Sequence, residues 1–316
     1  MNGLYVGAAK VSISPTADCY PIGSFQAGWE GEELYARAIA IENSGRKILF
    51  ESLELASVPD AERLAEEVGR AAGISAEDVI LTATHDHSAP FVVGDAMQRF
   101  TPAETDWKFR EIVFSGAMQA ACQAVSTMRP ARMGYGEGKS FINVNRDEHF
   151  RDGYWMQGTN WEGCSDKTVS AVKFVDEEGR LIAAIVNYAM HANCTFLAKD
   201  TDGLVKVTCD IPGIASLFLE GHYGGGAVVL WQSGTAGNQN PVYIGIKKVF
   251  DQQTGTMYAE FRQPGAAYEE ARVLGQQHGM DIMDVLDSIQ ADQTESAITS
   301  SETILSFPGQ KYLKGS

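Results

Sequence analysis

Three short polar clusters hold the residues of this chain whose types and spacing suit chemistry. Thr84-His85-Asp86-His87-Ser88 follows an apolar run at residues 79–82, and His191-Ala192-Asn193 follows a second at 181–189. Ser233-Gly234-Thr235-Ala236-Gly237-Asn238-Gln239-Asn240-Pro241 follows a third at 227–231. His85 and His87 are two apart, which on extended backbone puts both imidazoles on one side and Asp86 opposite. Imidazole is a common zinc ligand, and a pair from one segment joined by a distant ligand is ordinary metal-site construction. His191 is the distant candidate. The same spacing also suits two surface or capping histidines, and spacing alone does not choose between them. His149, His222 and His278 have no such company and read as a loop, a helix-end and a helix residue.

The stretch 234–241 is rich in glycine and side-chain amides. Backbone N–H groups freed by glycine, with asparagine donors beside them, can hold an oxyanion; a tight turn after a core strand has the same composition. Asn145-Arg146-Asp147 offers an arginine for a substrate hydroxyl, carboxylate or oxyanion, or for a solvated salt bridge.

These clusters need elements to position them. Residues 4–13 read as a strand ended by Pro15, and 35–42 with 47–53 as a hairpin around Asn43-Ser44-Gly45. Residues 59–72 read as a helix stopped by Gly73. Thr101-Pro102-Ala103-Glu104 has the form of a capping box opening a helix that ends before Pro130, with Cys122 packed inside it. Residues 131–136 suit a strand, and 139–166 a long functional loop. Residues 169–175 and 181–189 suit a hairpin, and 210–220 a helix capped by Asp210. Residues 227–231 read as a buried strand, 268–289 as a long amphipathic helix and 297–307 as a last strand. Hairpins mixed with strand–helix alternation predict a single α/β domain, a mixed β-sheet flanked by helices. In such sheets ligands bind beyond the strand C-termini, so the three clusters meet if their strands are neighbours of compatible direction.

Of the 316 residues, 44% are hydrophobic and 21% charged, ordinary globular composition for one large domain or two small ones. A formal net charge of -16 opposes nucleic acid and anionic membranes. The cysteines at 19, 122, 164, 194 and 209 are odd in number and never spaced C-x-x-C, which predicts a reduced, cytoplasmic protein. The start MNGLYVGAAK has no signal-peptide pattern, and no run approaches the ~20 apolar residues of a membrane span, so stable membrane insertion is not expected.

Taken in order, the motifs resemble those of one family. Thr82-Ala83-Thr84-His85-Asp86-His87-Ser88-Ala89-Pro90 is similar to the T-H-T-H-S-G-P motif of neutral/alkaline (non-lysosomal) ceramidases. Asn145-Arg146, Asn187-Tyr188-Ala189-Met190-His191, Cys209-Asp210-Ile211-Pro212-Gly213 and the 233–241 segment follow in the family's order. The opening at 6–15 and Tyr35-Ala36-Arg37-Ala38 fit as well.

The resemblance implies a ceramidase-like N-terminal hydrolase domain over residues 1–316 that cleaves an amide (N-acyl) or related acyl bond of a small molecule using Zn2+. It implies His85 and His191 as zinc ligands, His87 as the residue polarising substrate, and Arg146 as a substrate contact. Asn238 and Asn240 stand where the family's G-D-V-S-P-N has its aspartate and essential serine. Asn240 can only hydrogen-bond, so water activated by zinc is the expected nucleophile. The family's remaining ligands, a glutamate and a tyrosine, belong to a C-terminal portion expected beyond residue 316; Asp210 could supply an oxygen instead. The alternative is an inactive relative in which Arg146, Asn238 and Asn240 hold a small polar ligand.

Overall fold

The computed structural model describes residues 3–95, 100–149, 155–251, 253–295, 297–301, 303–306 and 308. Its strands divide chiefly between two sheets. The first runs Val79–Ala83 (β5), Arg46–Leu53 (β4), Tyr35–Asn43 (β3), Leu4–Ser12 (β1) and Arg129–Pro130 (β6). The second runs Val228–Ser233 (β13), Leu181–Tyr188 (β11), Thr168–Val175 (β10) and Arg132–Lys139 (β7). Each is mixed: β4 and β5 are parallel, as are β11 and β13, and the other pairings are antiparallel. The expected α/β domain is therefore what forms, with its mixed sheet doubled.

The first sheet is covered on both faces. Leu4, Val6, Ile39 and Ile41 project from the first sheet into a dry core shared with Phe174, Ile182, Ala183 and Leu230 from the second. The other face of the first sheet carries Ala36, Ala38, Ala40, Leu49 and Leu53, which join Phe109, Val113 and Ala117 of a helix, Glu104–Ser126 (α2). Small residues let this helix come close: a side chain on Gly7 would collide with the Ala124 carbonyl. The helix Ala61–Ala72 (α1) packs beside α2. On the far side, Asp210–Tyr223 (α3) and Ala266–Ser288 (α4) cover the second sheet, with Val285 and Ile289 lying on Gly134, Gly136 and Gly138. The order is helices, sheet, sheet, helices.

Local chemistry accounts for most boundaries. Ser44 and Gly45 both have positive φ, as a two-residue turn matched to strand twist requires. Gly73 closes α1 in the left-handed region, its N–H on the Gly69 carbonyl. α2 begins later than the capping box at Thr101 predicted. Its N-cap is Ala103, whose N–H donates to the Asp106 carboxylate, so the carboxylate alone does the capping. Cys122 is exposed on α2 rather than packed, its thiol donating to the Ala71 carbonyl.

The stretch 139–166, expected as a loop, contains Asn143–His149 (β8) and Trp155–Asn160 (β9), with Gln239–Pro241 (β14) pairing on the other side of β8. These strands are mostly polar, and much of what β8 and β14 bury is amide, as at Asn143, Asn145, Gln239 and Asn240, so hydrophobic periodicity could not signal them. A further hairpin joins Ile246–Asp251 (β15) and Thr256–Phe261 (β16). A two-residue parallel pair, Ala27–Gly28 (β2) with Lys206–Val207 (β12), completes the set. The strand expected at 297–307 does not form among the described residues there, and residues 302 and 307 lie outside them. Among the described residues, no helix is long and apolar enough to cross a membrane.

One buried polar chain ties α4 to the second sheet. The Trp231 indole N–H donates to His278 Nε2 at 3.1 Å, His278 Nδ1 lies 3.0 Å from Ser140 Oγ, and Ser140 donates to Asp281 at 2.6 Å. Burial pushes the His278 pKa from 6.5 down to about 3. The folded chain keeps the ring neutral while the unfolded chain protonates it below pH 6.5. This stability is therefore complete above pH 6.5 and lost as pH falls toward 3. We expect His278→Gln to flatten the acid limb of stability, removing a slope of up to about 1.4 kcal/mol per pH unit between about pH 6 and 4. Urea unfolding at a series of pH values measures it; an unchanged slope would contradict this account.

Candidate metal centre

Backbone hydrogen bonds bring the three clusters together. β11 and β13 are parallel, so the segments after them leave from one edge. The segment after β5 joins them there: Asp86 N–H donates to the Leu55 carbonyl and His87 N–H to Ala192, at 2.9 and 2.8 Å. His191 N–H donates to the Gln239 carbonyl at 2.9 Å, and Arg146 N–H to Asn238 at 2.8 Å. Gly234 permits the crossing, since a Cβ there would sit 2.9 Å from Asn187 Oδ1. The three clusters converge, although only β11 and β13 are neighbours; β5 belongs to the first sheet and is joined to them by the His87–Ala192 bond rather than by strand order.

At that meeting point the ligand nitrogens of His85, His87 and His191 all lie within 4.8 Å of one another. His85 has φ 61°, so its backbone is not extended, yet its ring and that of His87 still converge, with Nε2 atoms 3.2 Å apart. A left-handed non-glycine residue costs about 1–2 kcal/mol and is the kind of strain that functional sites retain. His85 Nδ1 is 2.7 Å from the Ala56 carbonyl. His191 Nδ1 is 2.7 Å from the Ala236 carbonyl and 3.3 Å from that of Gln239. A carbonyl only accepts, so both Nδ1 atoms carry the proton and both Nε2 atoms present lone pairs to the centre. Metal-binding imidazoles are anchored in this manner. His87 Nδ1 has no such anchor among the described residues; its ring lies edge-on to Phe196.

The donor set fits zinc. Three imidazole nitrogens lie within 4.8 Å of one another, and those of His85 and His191 present the lone pairs that zinc takes. Burial, with the neighbouring rings and the Arg146 charge adding to it, lowers the His87 pKa to about 4. Burial first, then Arg146 and His85, lowers that of His191 to about 4. Both imidazoles are thus neutral at pH 7, as a cation requires.

The other residues singled out by sequence take distinct places. Arg146 Nη1 donates to His191 Nε2 at 3.2 Å, so its guanidinium faces the lone pair a cation would take. Asn240 is 1% exposed and accepts from Asn193 Nδ2 through Oδ1, leaving its own Nδ2 and the Asn193 Oδ1 without partners among the described residues. Asn238 is exposed and meets the site through its backbone carbonyl. Asp210 is not in the histidine group. Its carboxylate accepts from Ile211 N–H, Thr195 N–H and the Thr195 and Ser88 hydroxyls, bracing the turn beside His87. Sequence reasoning passed over Asn193 and Gln239 and could not have found the Ala56 and Ala236 carbonyls, because any residue type supplies a carbonyl.

The family model described as "Neutral/alkaline non-lysosomal ceramidase, N-terminal" matches residues 29–263. Among solved structures, the chain is similar to neutral ceramidase from Pseudomonas aeruginosa, with a TM-score of 0.68 and 21% identity over 93% of this chain and 46% of that one. It is similar also to a structure titled "Ceramidase complexed with C2", with a TM-score of 0.68 and 19% identity over 93% and 45%. It therefore spans about half the length of both. A comparison with curated proteins gives no match.

Purified protein should take up about one zinc per chain by elemental analysis after dialysis. His85→Ala and His191→Ala should each lose it while His278→Gln keeps it; stoichiometric zinc on a folded His191→Ala protein would refute the centre.

Proposed function

This chain belongs to the neutral/alkaline non-lysosomal ceramidase family, and from that premise we propose that it is a zinc-dependent hydrolase of N-acyl amide or related acyl bonds. The observation carrying the proposal is the convergence of three imidazoles, two of them anchored through Nδ1 on backbone carbonyls. On this reading His85 and His191 hold the cation and the unanchored His87 faces substrate. When bound, zinc would polarise the scissile carbonyl and lower the pKa of an attacking water.

The chain's own residues supply the rest. His87, neutral and free at Nδ1, donates from Nε2 to the oxygen on which charge develops. Arg146 makes no ion pair with a carboxylate among the described residues and swings from His191 Nε2 to that same oxygen. Fixed donors aimed at developing charge are a large source of rate in a partly dry site. Asn240 offers Nδ2 as a further donor but has no nucleophilic atom, so water adds to the acyl carbon directly, the C–N bond breaks, the amine leaves with a proton from that water, and no acyl-enzyme forms. The ceramidases that the fold resembles make a lipid amide the first substrate class to test.

A second reading, ligand binding without turnover, draws on the same Asn240–Asn193 pair, whose spare donor and acceptor suit a polar ligand.

Hydrolysis of a panel of N-acylsphingosines, simpler N-acyl amides and esters, with and without chelator, separates the two. We expect chelator-sensitive release of fatty acid. His87→Gln should keep zinc and lose about 10²–10³-fold in kcat. Zinc-loaded wild type that binds but hydrolyses none of the panel would leave the second reading.

A further inference from the structure

The side chain of Gln239 lies in a dense polar knot directly behind His191. Gln239 is 4% exposed. Its Nε2 donates to the Thr235 carbonyl at 2.9 Å, and its backbone N–H to the Ala236 carbonyl at 2.9 Å. Its Oε1 accepts from Asp166 N–H at 2.7 Å and from Asn143 Nδ2 at 3.0 Å. Asn143, fully buried, also donates to the Ala189 carbonyl at 2.7 Å and is held by Lys167, whose ammonium donates to Asn143 Oδ1 at 2.7 Å. The side-chain amide of Gln239 thus closes the turn from Thr235 to Gln239 and fastens it to the strands on either side.

That turn serves one visible end. Its two carbonyls, Ala236 and Gln239, are the acceptors for His191 Nδ1, and the Gln239 carbonyl also takes the His191 N–H. A side chain that fixes both acceptors fixes the ring's direction and its tautomer. A hydrophobic residue of the same length would fill the volume but leave the Thr235 carbonyl and Asp166 N–H without these partners, freeing the turn to rotate.

We propose that Gln239 is a positioning residue for the metal centre, acting through the Ala236 and Gln239 carbonyls to hold His191 Nε2 toward the cation. The proposal rests on the metal-centre reading above. Partners of this kind typically change metal affinity by about 10–100-fold when removed.

The test is zinc affinity by competition with a chromophoric chelator, on folded full-length protein, for wild type, Gln239→Leu, Gln239→Met and Ile289→Ala. Ile289→Ala is a destabilised control in the α4–β7 contact. Gln239→Leu should raise the zinc Kd about 10–100-fold, and Ile289→Ala should leave it within twofold at matched thermal shift. If Gln239→Leu does not fold, Gln239→Met, unbranched and of similar length, answers the same question. In the zinc-free state, nitrogen NMR of the His191 ring should show a single Nδ1–H tautomer in wild type and a mixture in the variant. Wild-type affinity in a folded variant with an unchanged tautomer overturns the proposal while the metal centre stands. Wild type that binds no zinc overturns the metal centre itself.

Discussion

Four backbone hydrogen bonds, from Asp86, His87, His191 and Arg146 to carbonyls on other segments, are the constraint on which the centre depends. Each is ordinary in strength, about 0.5–1.5 kcal/mol net. Their consequence is positional: they fuse the ends of strands from two sheets into one patch of backbone. Side chains on that patch inherit its rigidity, as a site requiring fixed ligand geometry demands. The apolar core between the sheets, where Val6 and Ile39 meet Phe174 and Leu230, holds the two edges at the separation that lets these bonds form.

The chemistry sits on backbone as much as on side chains. Carbonyls of Ala56 and Ala236 set which nitrogen of each anchored ring carries the proton. Burial then keeps His87 and His191 neutral, so the folded protein presents lone pairs where an exposed cluster would repel a cation at mildly acid pH. Arg146 on β8, which hydrophobic periodicity cannot see, adds a positive charge at the rim and deepens the shift at His191. The polar outer strands are thus part of the site although they add little to the core.

The buried polar groups divide between satisfied and unsatisfied. Asp210 accepts from Ile211, Thr195 and Ser88, and Gln239 and Asn143 are similarly saturated; these groups brace the turns around the site. Asn240 and Asn193 keep a spare donor and a spare acceptor among the described residues. Native proteins leave few such groups without partners, and those that remain tend to mark a ligand or a water. Asparagine at 240 offers a hydrogen bond and has no nucleophilic oxygen.

Much of this was legible in residue order. The strand–helix pattern specified the α/β class, because burial at period two or 3.6 leaves its mark on sequence. The histidines at 85, 87 and 191 with Arg146 were visible because their chemistry is rare and their order matched one family. The division into two sheets left no such mark, since one alternating pattern suits either arrangement. The β8–β9 hairpin was hidden because most of what β8 buries is amide, Asn143 and Asn145, rather than hydrocarbon. The roles of Gln239 and of the carbonyls behind the imidazoles were decided only by tertiary structure: a carbonyl has no residue identity, and the direction in which it points is fixed by contacts between residues far apart along the chain.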